Sequence, residues 1–374
     1  MRLGTNIKQP AGYKAYIPKP FPPADGFELS SALIQKANVA TLKLGKLDGT
    51  TQLLPDLDFF LFMYIRKDAA SSSQIEGTQA TMIDAIEAES KTNDKLPDDV
   101  DDILHYIRAL QFGLKKMTEL PLSLRLIKDI HRELMDNARK THFSDPGNFR
   151  TSQNWIGGTK PTNARFVPPP PDEMKRALSD LEKFIHAKDT LLPIVKAGLL
   201  HAQFENIHPF LDGNGRTGRM LITIYLHLAQ ILEHPILFLS WYFKKHQQLY
   251  YDRLYGYSEG NIEAWINFFL DGIIETSEEA ISTVKQVTIL KESDMLKIQS
   301  LGRSAAQSAV IILPKLYQMP IVNVHTIQRW TGFTRQGAQK VIDRFVELDI
   351  LQPKNENVMY GRSFTYRKYL EIFE

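Results

Sequence analysis

The sequence predicts a mainly α-helical protein with one short β-hairpin and a separate C-terminal module of helices and a β-wing. Apolar residues recur at three- and four-residue spacing from about Phe27 to Ser300, as expected for helices with a buried face. Only residues 148–167 have a hairpin pattern, because Gly157-Gly158 separates two short apolar runs. From residue 301 onward, two short helical stretches precede an alternating, wing-like run.

The composition is that of a globular protein without extreme charge. The chain has 374 residues, of which 43% are apolar, and its 45 basic and 43 acidic side chains give a net charge of +2. No strong field therefore indicates nucleic acid or an acidic membrane as a partner. Cysteine is absent, which excludes disulfides, thiolate nucleophiles and cysteine-based zinc sites. The N-terminus lacks a signal-peptide core and the apolar run 220–232 is too short to span a bilayer, so we expect a cytoplasmic protein without membrane contact.

The order of elements follows from periodicity and from breakers. Residues 1–25 are expected to form an extended arm, and four prolines at 168–171 end the hairpin. Helices are predicted over 55–65, 82–89, 99–118, 123–135, 172–187, 191–206, 216–232, 241–256, 262–300, 323–331 and 334–348, before a β-wing over 350–366 around Gly361. The predicted domains are an N-terminal helical region (1–110), a core (111–275), a helical linker (276–300) and a C-terminal domain (301–374).

The segment His208–Arg219, HPFLDGNGRTGR, has the residues of a phosphate-binding site. Gly213 and Gly215 let backbone N–H groups approach an anion and form a concave nest. The nest leads into a helix N-terminus, where unpaired N–H groups and the helix dipole favour negative charge. Arg216 and Arg219 are three residues apart, so both project at that end of the helix and together can hold two or three phosphates.

Two further side chains in the segment supply chemistry. Asp212 can hold the Mg²⁺ that bound phosphates usually need, and His208 can accept a proton near neutral pH. A base, a metal ligand and an anion cradle in one short segment indicate attack by a hydroxyl on a nucleotide phosphate. A zinc site built on His201, Glu205 and His208 is disfavoured, because the order H-x-x-x-E-x-x-H departs from H-E-x-x-H.

The segment resembles the Fic-family motif H-P-F-x-[DE]-G-N-G-R-x-x-R at every fixed position, and His201–Ile207 resembles the family's approach to it. The resemblance covers about residues 25–275. It implies an all-helical core with the motif on a loop between two helices. It also implies transfer of AMP from ATP to a Ser, Thr or Tyr hydroxyl of a target protein, possible self-modification, and release of pyrophosphate. A homodimer is usual for this class.

The resemblance also implies a role for each motif residue. His208 is expected to be the general base, Phe210 a buried anchor of the loop, and Asp212 the Mg²⁺ ligand. The phosphate-binding residues it implies are Gly213, Asn214 and Gly215, then Arg216 for the β-phosphate and Arg219 for the γ-phosphate.

Two other regions resemble parts of the same family. Residues 154–158 and 164–169 resemble the flap, whose exposed edge can pair with an extended target segment; the expected target-binding residues are Ile156, Gly157 and Gly158. Residues 239–242 and 250–254 resemble the region that supplies the adenine pocket. Tyr250 or Tyr251 is expected to contact the base, with ordinary aromatic packing as the open alternative.

A second motif precedes the core. Ser72–Gly77 matches the family's inhibitory pattern [ST]-x-x-x-E-[GN], within a predicted inhibitory helix at about 68–77. Glu76 is expected to pair with Arg219 and so to occupy the arginine that holds the γ-phosphate. In this class the same glutamate can align a water that removes AMP from a modified protein. The alternative is a capping serine and a solvated glutamate.

Residues 301–374 resemble a winged helix-turn-helix domain with ten basic and six acidic side chains. The candidate recognition helix carries Thr334, Arg335, Gln336, Gln339 and Lys340. Such residues give DNA affinity through phosphate contacts, although winged helices also bind proteins. Three functions stay open: the adenylyltransferase, a DNA-binding regulator whose core only senses nucleotide, and an enzyme that uses another nucleotide donor. The intact His208 favours an enzyme, because a sensor needs the phosphate cradle but not the base.

Overall fold

The N-terminal residues form a β-hairpin and not the expected extended arm. Strand β1 (Gly4–Lys8) pairs antiparallel with β2 (Lys14–Pro18), in a register that runs from Gly4↔Pro18 to Lys8↔Lys14. Tyr16, buried at 2% exposure, donates its backbone N–H to Val167 O at 2.9 Å. The strands therefore depend on a contact with a distant segment, which composition alone does not reveal.

The computed structural model is mainly helical, as predicted, and describes residues 2–52, 54, 57–93, 95–136, 145–354 and 362–374. The helices before the C-terminal module, numbered in chain order, are α1 (Ser31–Thr51), α2 (Leu57–Ile75), α3 (Met82–Ser90), α4 (Val100–Lys116), α5 (Leu124–Met135), α6 (Pro171–His186), α7 (Pro193–Ile207), α8 (Asn214–Leu228), α9 (Ser240–Lys245), α10 (Gln247–Ser258) and α11 (Ile262–Gln299). None of the described helices has the length and apolarity to cross a membrane.

Helix α2 continues ten residues past the predicted end of the 55–65 helix and takes in most of the predicted 68–77 helix. Pro55, the predicted start, lies outside the described residues. The small residues Ala69–Ser73 are all buried, because α2 packs against α4 on one side and α9 on the other. This close packing explains the polar serines inside the protein and brings the end of α2 to the core.

Two other helices differ from prediction. The expected helix over 241–256 is divided into α9 and α10 at His246, whose backbone leaves the helical region (φ −114°, ψ 36°). Helix α11 is continuous over 38 residues and packs along α1. The predicted boundary between core and linker at residue 275 therefore falls inside one unbroken helix.

The C-terminal module begins with a helix that the sequence analysis did not predict. Its elements are α12 (Arg303–Gln318), β3 (Ile321–Asn323), α13 (Val324–Thr331), α14 (Arg335–Glu347), β4 (Gln352–Pro353), β5 (Ser363–Thr365) and α15 (Arg367–Leu370). The strands form an antiparallel sheet in the order β3-β5-β4. Gly361, the predicted centre of the wing, lies outside the described residues.

Candidate active site

The motif lies on a loop between two helices, as expected. Helix α7 ends where His208 adopts a left-handed backbone conformation (φ 48°, ψ 62°), and α8 begins directly after Gly213 (φ 74°). The left-handed conformation favours glycine at position 213, and a β-carbon there would lie 2.8 Å from Met135 Sδ and displace that side chain. The loop therefore presents its backbone at the N-terminus of α8.

Buried side chains fix this loop. The ring of Phe210 stacks on His131 with ring centroids 3.6 Å apart. Asn214 accepts a hydrogen bond from Phe210 N at 2.8 Å and donates one to Phe210 O at 2.9 Å. Arg150 Nε donates to His208 O at 2.9 Å. Phe210 is thus the anchor that the resemblance implied, whereas the roles of Arg150 and of the Asn214 side chain within the loop were missed.

His208 is held as a neutral imidazole. Its Nδ1 lies 3.3 Å from Glu205 O, and a carbonyl only accepts, so the proton of this hydrogen bond is on Nδ1 and Nε2 keeps its lone pair. Burial, and to a lesser extent the charge of Arg150, lowers the pKa of His208 to about 4. The imidazole can therefore accept a proton at neutral pH.

Arg219 is buried and carries three hydrogen bonds to α2 and the residue after it. Its Nε donates to Ser72 Oγ at 2.9 Å, and its Nη2 donates to Ser72 O at 2.9 Å and to Glu76 Oε1 at 2.7 Å. Burial lowers the pKa of Arg219, but Glu76, Tyr250 and Glu205 more than offset this and raise it above its usual value. The structure thus brings together the arginine and the glutamate that the sequence analysis paired.

Arg216 lies farther from its polar neighbours than Arg219 does. Its Nη1 lies 3.7 Å from Asp102 Oδ1, its Nη2 lies 4.0 Å from Asp212 Oδ1, and its Nη2 is 3.5 Å from Met135 Sδ. Asp102 comes from α4 and was not predicted as a site residue. In the sequence it reads as one of several acids at a helix start, and only folding brings it to the motif.

Asp212 is the acidic residue of the loop and its carboxylate is 40% exposed. Its Oδ1 accepts from Gly213 N at 2.6 Å, and its carbonyl accepts from His131 Nε2 at 2.9 Å. Within the described part of the chain, no group of three or more His, Asp or Glu side chains is arranged to hold a metal ion. A single accessible carboxylate nevertheless fits Mg²⁺, which usually binds through one or two carboxylates, substrate phosphates and water.

A cavity of about 480 Å³ connects the motif with α10 and the flap. Its lining includes Glu76, Glu205, His208, Arg219, Tyr250 and Tyr251. This volume suits a small-molecule ligand. Glu205 Oε1 has no hydrogen-bond partner among the described residues, and burial raises the pKa of this carboxyl to about 8.

The two candidate adenine tyrosines differ in environment. Tyr250 is 1% exposed, its ring stacks on Phe243 with centroids 4.5 Å apart, and its hydroxyl lies 2.8 Å from His201 Nε2. Tyr251 is only partly buried and donates its hydroxyl to Ile75 O at 3.3 Å. The packing alternative therefore describes Tyr250 better than Tyr251.

The predicted hairpin over 148–167 is reduced to one antiparallel bridge, Ile156↔Phe166. A short 3₁₀ turn (Pro161–Asn163) interrupts the ladder, because Asn163 Oδ1 accepts from Thr159 N and Lys160 N, both at 3.0 Å. Gly157 and Gly158 both have positive φ, at 67° and 77°. Ile156 and Gly157 line the cavity together with the motif.

Arg165 of this flap segment pairs with Asp252 of α10. The pair joins the two structures that flank the cavity mouth.

The fold and this site define a helical protein with a glycine-containing loop at a helix N-terminus, next to a half-buried, neutral histidine. Residues 121–226 match the Fic/DOC family model, and residues 34–115 match the model of the family's N-terminal region. The two matches together cover half of the chain. The chain belongs to the Fic/DOC family.

Curated relatives include "Protein adenylyltransferase Fic" from Aedes aegypti, 32% identical over 155 residues, covering 40% of this chain and 27% of the relative. The protein of the same name from Drosophila melanogaster is 27% identical over 206 residues, covering 53% of this chain and 38% of the relative. The chain thus spans roughly a quarter to two fifths of the length of these relatives.

Among solved structures, a Fic family protein from Desulfovibrio desulfuricans G20 has a TM-score of 0.57 at 16% identity, covering 91% of this chain and 97% of the other. Fic-1 from C. elegans has a TM-score of 0.51 at 17% identity, covering 69% and 76%. At these identities the two structures show a shared fold.

Proposed function

We propose that this protein transfers AMP from ATP to a hydroxyl of a target protein and that Glu76 restrains the reaction. The observation that carries the proposal is one cavity lined by a neutral His208 and by the buried Arg219 of the complete motif. The names of the curated relatives support the same chemistry.

In the proposed reaction, His208 Nε2 accepts the proton of the target hydroxyl and its oxygen attacks the α-phosphorus of ATP. A new P–O bond forms, the bond from the α-phosphorus to the bridging oxygen breaks, and pyrophosphate leaves with the bonding electrons. The backbone N–H groups of Asn214 and Gly215 and the guanidiniums of Arg216 and Arg219 stabilise the negative charge on the phosphates. Such a transfer depends mainly on positioning and charge neutralisation.

Asp212 is the residue that would hold Mg²⁺ in this site, because its carboxylate is partly exposed beside the anion-binding loop. The bound ion would neutralise phosphate charge.

Glu76 acts on Arg219 in this proposal. The glutamate occupies Nη2 of the arginine that the motif assigns to the γ-phosphate, so a correctly placed triphosphate must displace it. The side chain of Glu76 is 39% exposed and that of Arg219 only 2%, so the glutamate can leave into solvent while the arginine stays. Glu76 also lines the cavity, where a carboxylate can orient a water for removal of AMP from a modified protein.

The targets are proteins, including this protein itself, that offer an extended segment to the flap. The single bridge at Ile156 leaves backbone groups on either side of it for pairing with a target strand. The absence of cysteine supports action in a reducing compartment such as the cytoplasm, and a homodimer remains an expectation of the family resemblance.

The C-terminal module gives a second candidate activity, which is contact with DNA or another protein. Helix α14 begins at an N-cap, Thr334, whose hydroxyl accepts from Gly337 N at 3.2 Å. Next to this cap, Arg335, Gln336 and Lys340 are exposed, as a helix that reads a groove requires.

The test compares wild type, Glu76→Gly, His208→Ala and the double variant with Mg²⁺ and ATP labelled at the α-phosphate. We expect label on proteins of a lysate and on the protein itself to increase in Glu76→Gly and to disappear when His208→Ala is added. Glu119→Gly is the matched control, because Glu119 also follows a helix end and pairs with a neighbouring lysine, Lys116, on the surface. Equal labelling with and without His208, or none despite bound ATP, would contradict the proposed transfer.

The reverse reaction needs its own measurement. A protein isolated with labelled AMP is incubated without ATP, with wild type or with Glu76→Gly. Release of AMP by wild type only would support the second role of Glu76, and equal release by both would exclude it.

A further inference from the structure

The two arginines of the motif are held in different ways. Arg219 uses its donors on Ser72 and Glu76, as described above. Arg216 is also buried, with 8% of its side chain exposed, but its nearest carboxylate oxygen is 3.7 Å away and its Nε has no hydrogen-bond partner among the described residues. Its charge is therefore compensated while most of its donors remain available.

Two carboxylates compensate this charge: Asp102, whose side chain is 13% exposed, and Asp212, which lies 4.0 Å away and is 40% exposed. Asp102 is the nearer and the more buried of the two. While Oδ1 of this carboxylate faces Arg216, Oδ2 accepts a hydrogen bond from Thr78 Oγ1 at 3.0 Å. Three residues earlier, at the N-cap of α4, Asp99 accepts hydrogen bonds from Gln79 N at 2.6 Å and from Ala80 N at 3.1 Å. The start of α4 thus holds the segment that follows Glu76, and this segment fixes Asp102.

We infer that Asp102 is a positioning residue of the phosphate site, which orients Arg216 towards the phosphates without consuming its hydrogen-bond donors. At 3.7 Å, the carboxylate attracts the guanidinium but makes no short bidentate pair with it. A buried guanidinium without a buried counter-charge is costly, and the other nearby carboxylate, Asp212, is largely solvated. Asp102 reduces this cost and leaves the N–H groups of Arg216 for phosphate oxygens.

Asp102 also connects the phosphate site with the segment that carries the inhibitory Glu76 of the proposed function. Thr78 follows Glu76 by two residues, and Gly77 between them has a positive φ of 98°, which sets the direction of the chain. The same carboxylate therefore contacts the segment that carries Glu76 and the arginine assigned to the β-phosphate. The inference rests on the proposed function for the identity of the ligand.

The test measures binding of ADP and of AMP by calorimetry, in the full chain carrying Glu76→Gly. ADP has the β-phosphate that Arg216 is expected to hold, and AMP lacks it. We expect Asp102→Asn to weaken ADP binding roughly tenfold, about the effect of misplacing one charge-assisted hydrogen bond, and to leave AMP binding unchanged. Asp102→Glu should restore part of the ADP affinity.

Two variants serve as controls. Asp101→Asn removes a neighbouring exposed carboxylate and should leave both affinities unchanged. Thr78→Val keeps the size of the side chain, removes the hydrogen bond to Asp102 and should weaken ADP binding less than Asp102→Asn does. If Asp102→Asn does not fold, Asp102→Glu and Thr78→Val carry the same comparison.

Three results would overturn the inference: equal losses of ADP and AMP affinity, no loss, or tighter ADP binding, which would make Asp102 a competitor of the phosphate. In a chain with Arg216→Gln, Asp102→Asn should have no further effect on ADP binding. Because binding is measured without transfer, a selective loss of ADP affinity in a protein that transfers no AMP would refute the proposed function and leave the inference standing.

Discussion

Glu76 Oε1 lies 2.7 Å from Nη2 of Arg219, and this contact joins the end of α2 to the first turns of α8 inside the cavity. The contact has a steric side as well, because a β-carbon at Gly215 would lie 2.2 Å from the same Oε1. Gly215 therefore permits the carboxylate to approach the backbone at the start of α8. In the proposed function, this carboxylate is the anion that a phosphate of ATP must replace.

Ser72→Ala should partially relieve the proposed inhibition of AMP transfer by Glu76. Ser72 Oγ accepts from Arg219 Nε at 2.9 Å, so its loss removes one of three hydrogen bonds that hold the arginine towards α2. We expect initial rates of AMP incorporation between those of wild type and Glu76→Gly, roughly three- to tenfold above wild type, from one lost hydrogen bond to a charged group. Ser71→Ala is the control, since Ser71 is buried on the same helix. An unchanged rate in Ser72→Ala would contradict this role.

The pH dependence of transfer should reflect the lowered pKa of His208. Burial lowers this pKa to about 4, so the imidazole is mostly unprotonated above pH 5. In Glu76→Gly at saturating ATP and Mg²⁺, we expect no loss of rate from protonation of the base until the pH falls towards 4. A rate profile from pH 5 to 8 tests this. A half-maximal rate near pH 6.5, the ordinary pKa of histidine, would show a solvated or different base.

Contacts could be predicted from the sequence where the residues that cooperate lie in one short segment or carry a motif of their own. The residues from His208 to Arg219 are contiguous, so their chemistry can be read from one segment. The Glu76–Arg219 pair could be predicted only because Ser72–Gly77 carries a motif of its own. No motif surrounds Asp102, and its contact with Arg216 depends on how α4 packs on α8. This contact could therefore not be predicted from the sequence.

Other differences have the same physical origin. The N-terminal hairpin depends on Tyr16 and Val167, and the length of α2 depends on burial of Ala69–Ser73 between two other helices. Local propensity does not contain these contacts, because they form only in the folded chain. The predicted strand pairing in the flap was too long for a related reason. The side chain of Asn163 closes a turn where hydrogen bonds between two strands were expected.

Glu205→Gln should flatten the dependence of stability on pH. Burial raises the pKa of Glu205 to about 8 in the folded protein, while the unfolded chain has the ordinary value of about 4.5. Because the pKa is raised in the folded protein, the protonated carboxyl makes its full contribution to the free energy of unfolding below about pH 4.5. This contribution is lost as the pH rises through 8. The Tm of Glu205→Gln relative to wild type should therefore increase between pH 5 and pH 8.5.

Thermal unfolding at several pH values measures this difference. Glu133→Gln, at an exposed position, should give a constant difference and serves as the control. A Tm difference for Glu205→Gln that does not change with pH would show that the carboxyl is solvated or paired.

Gly158→Ala should impair modification of targets but not nucleotide binding. Gly158 has φ 77°, and a β-carbon there would lie 2.5 Å from Asn163 O, so alanine must distort the turn that shapes the flap. In the Glu76→Gly background, we expect AMP incorporation into lysate proteins to fall about tenfold, because a displaced flap no longer aligns the acceptor hydroxyl, as small misplacements cost about this much or more. ADP affinity should stay the same.

The control for backbone strain is Gly332→Ala. Gly332 has a similar φ of 71° but no atom within 4 Å of its β-carbon position, and it lies between α13 and α14, away from the flap. This variant carries the left-handed strain of about 1 kcal/mol without the clash, and its incorporation should match the parent. If Gly332→Ala reduced incorporation as much as Gly158→Ala, the effect would arise from lower stability and not from the flap.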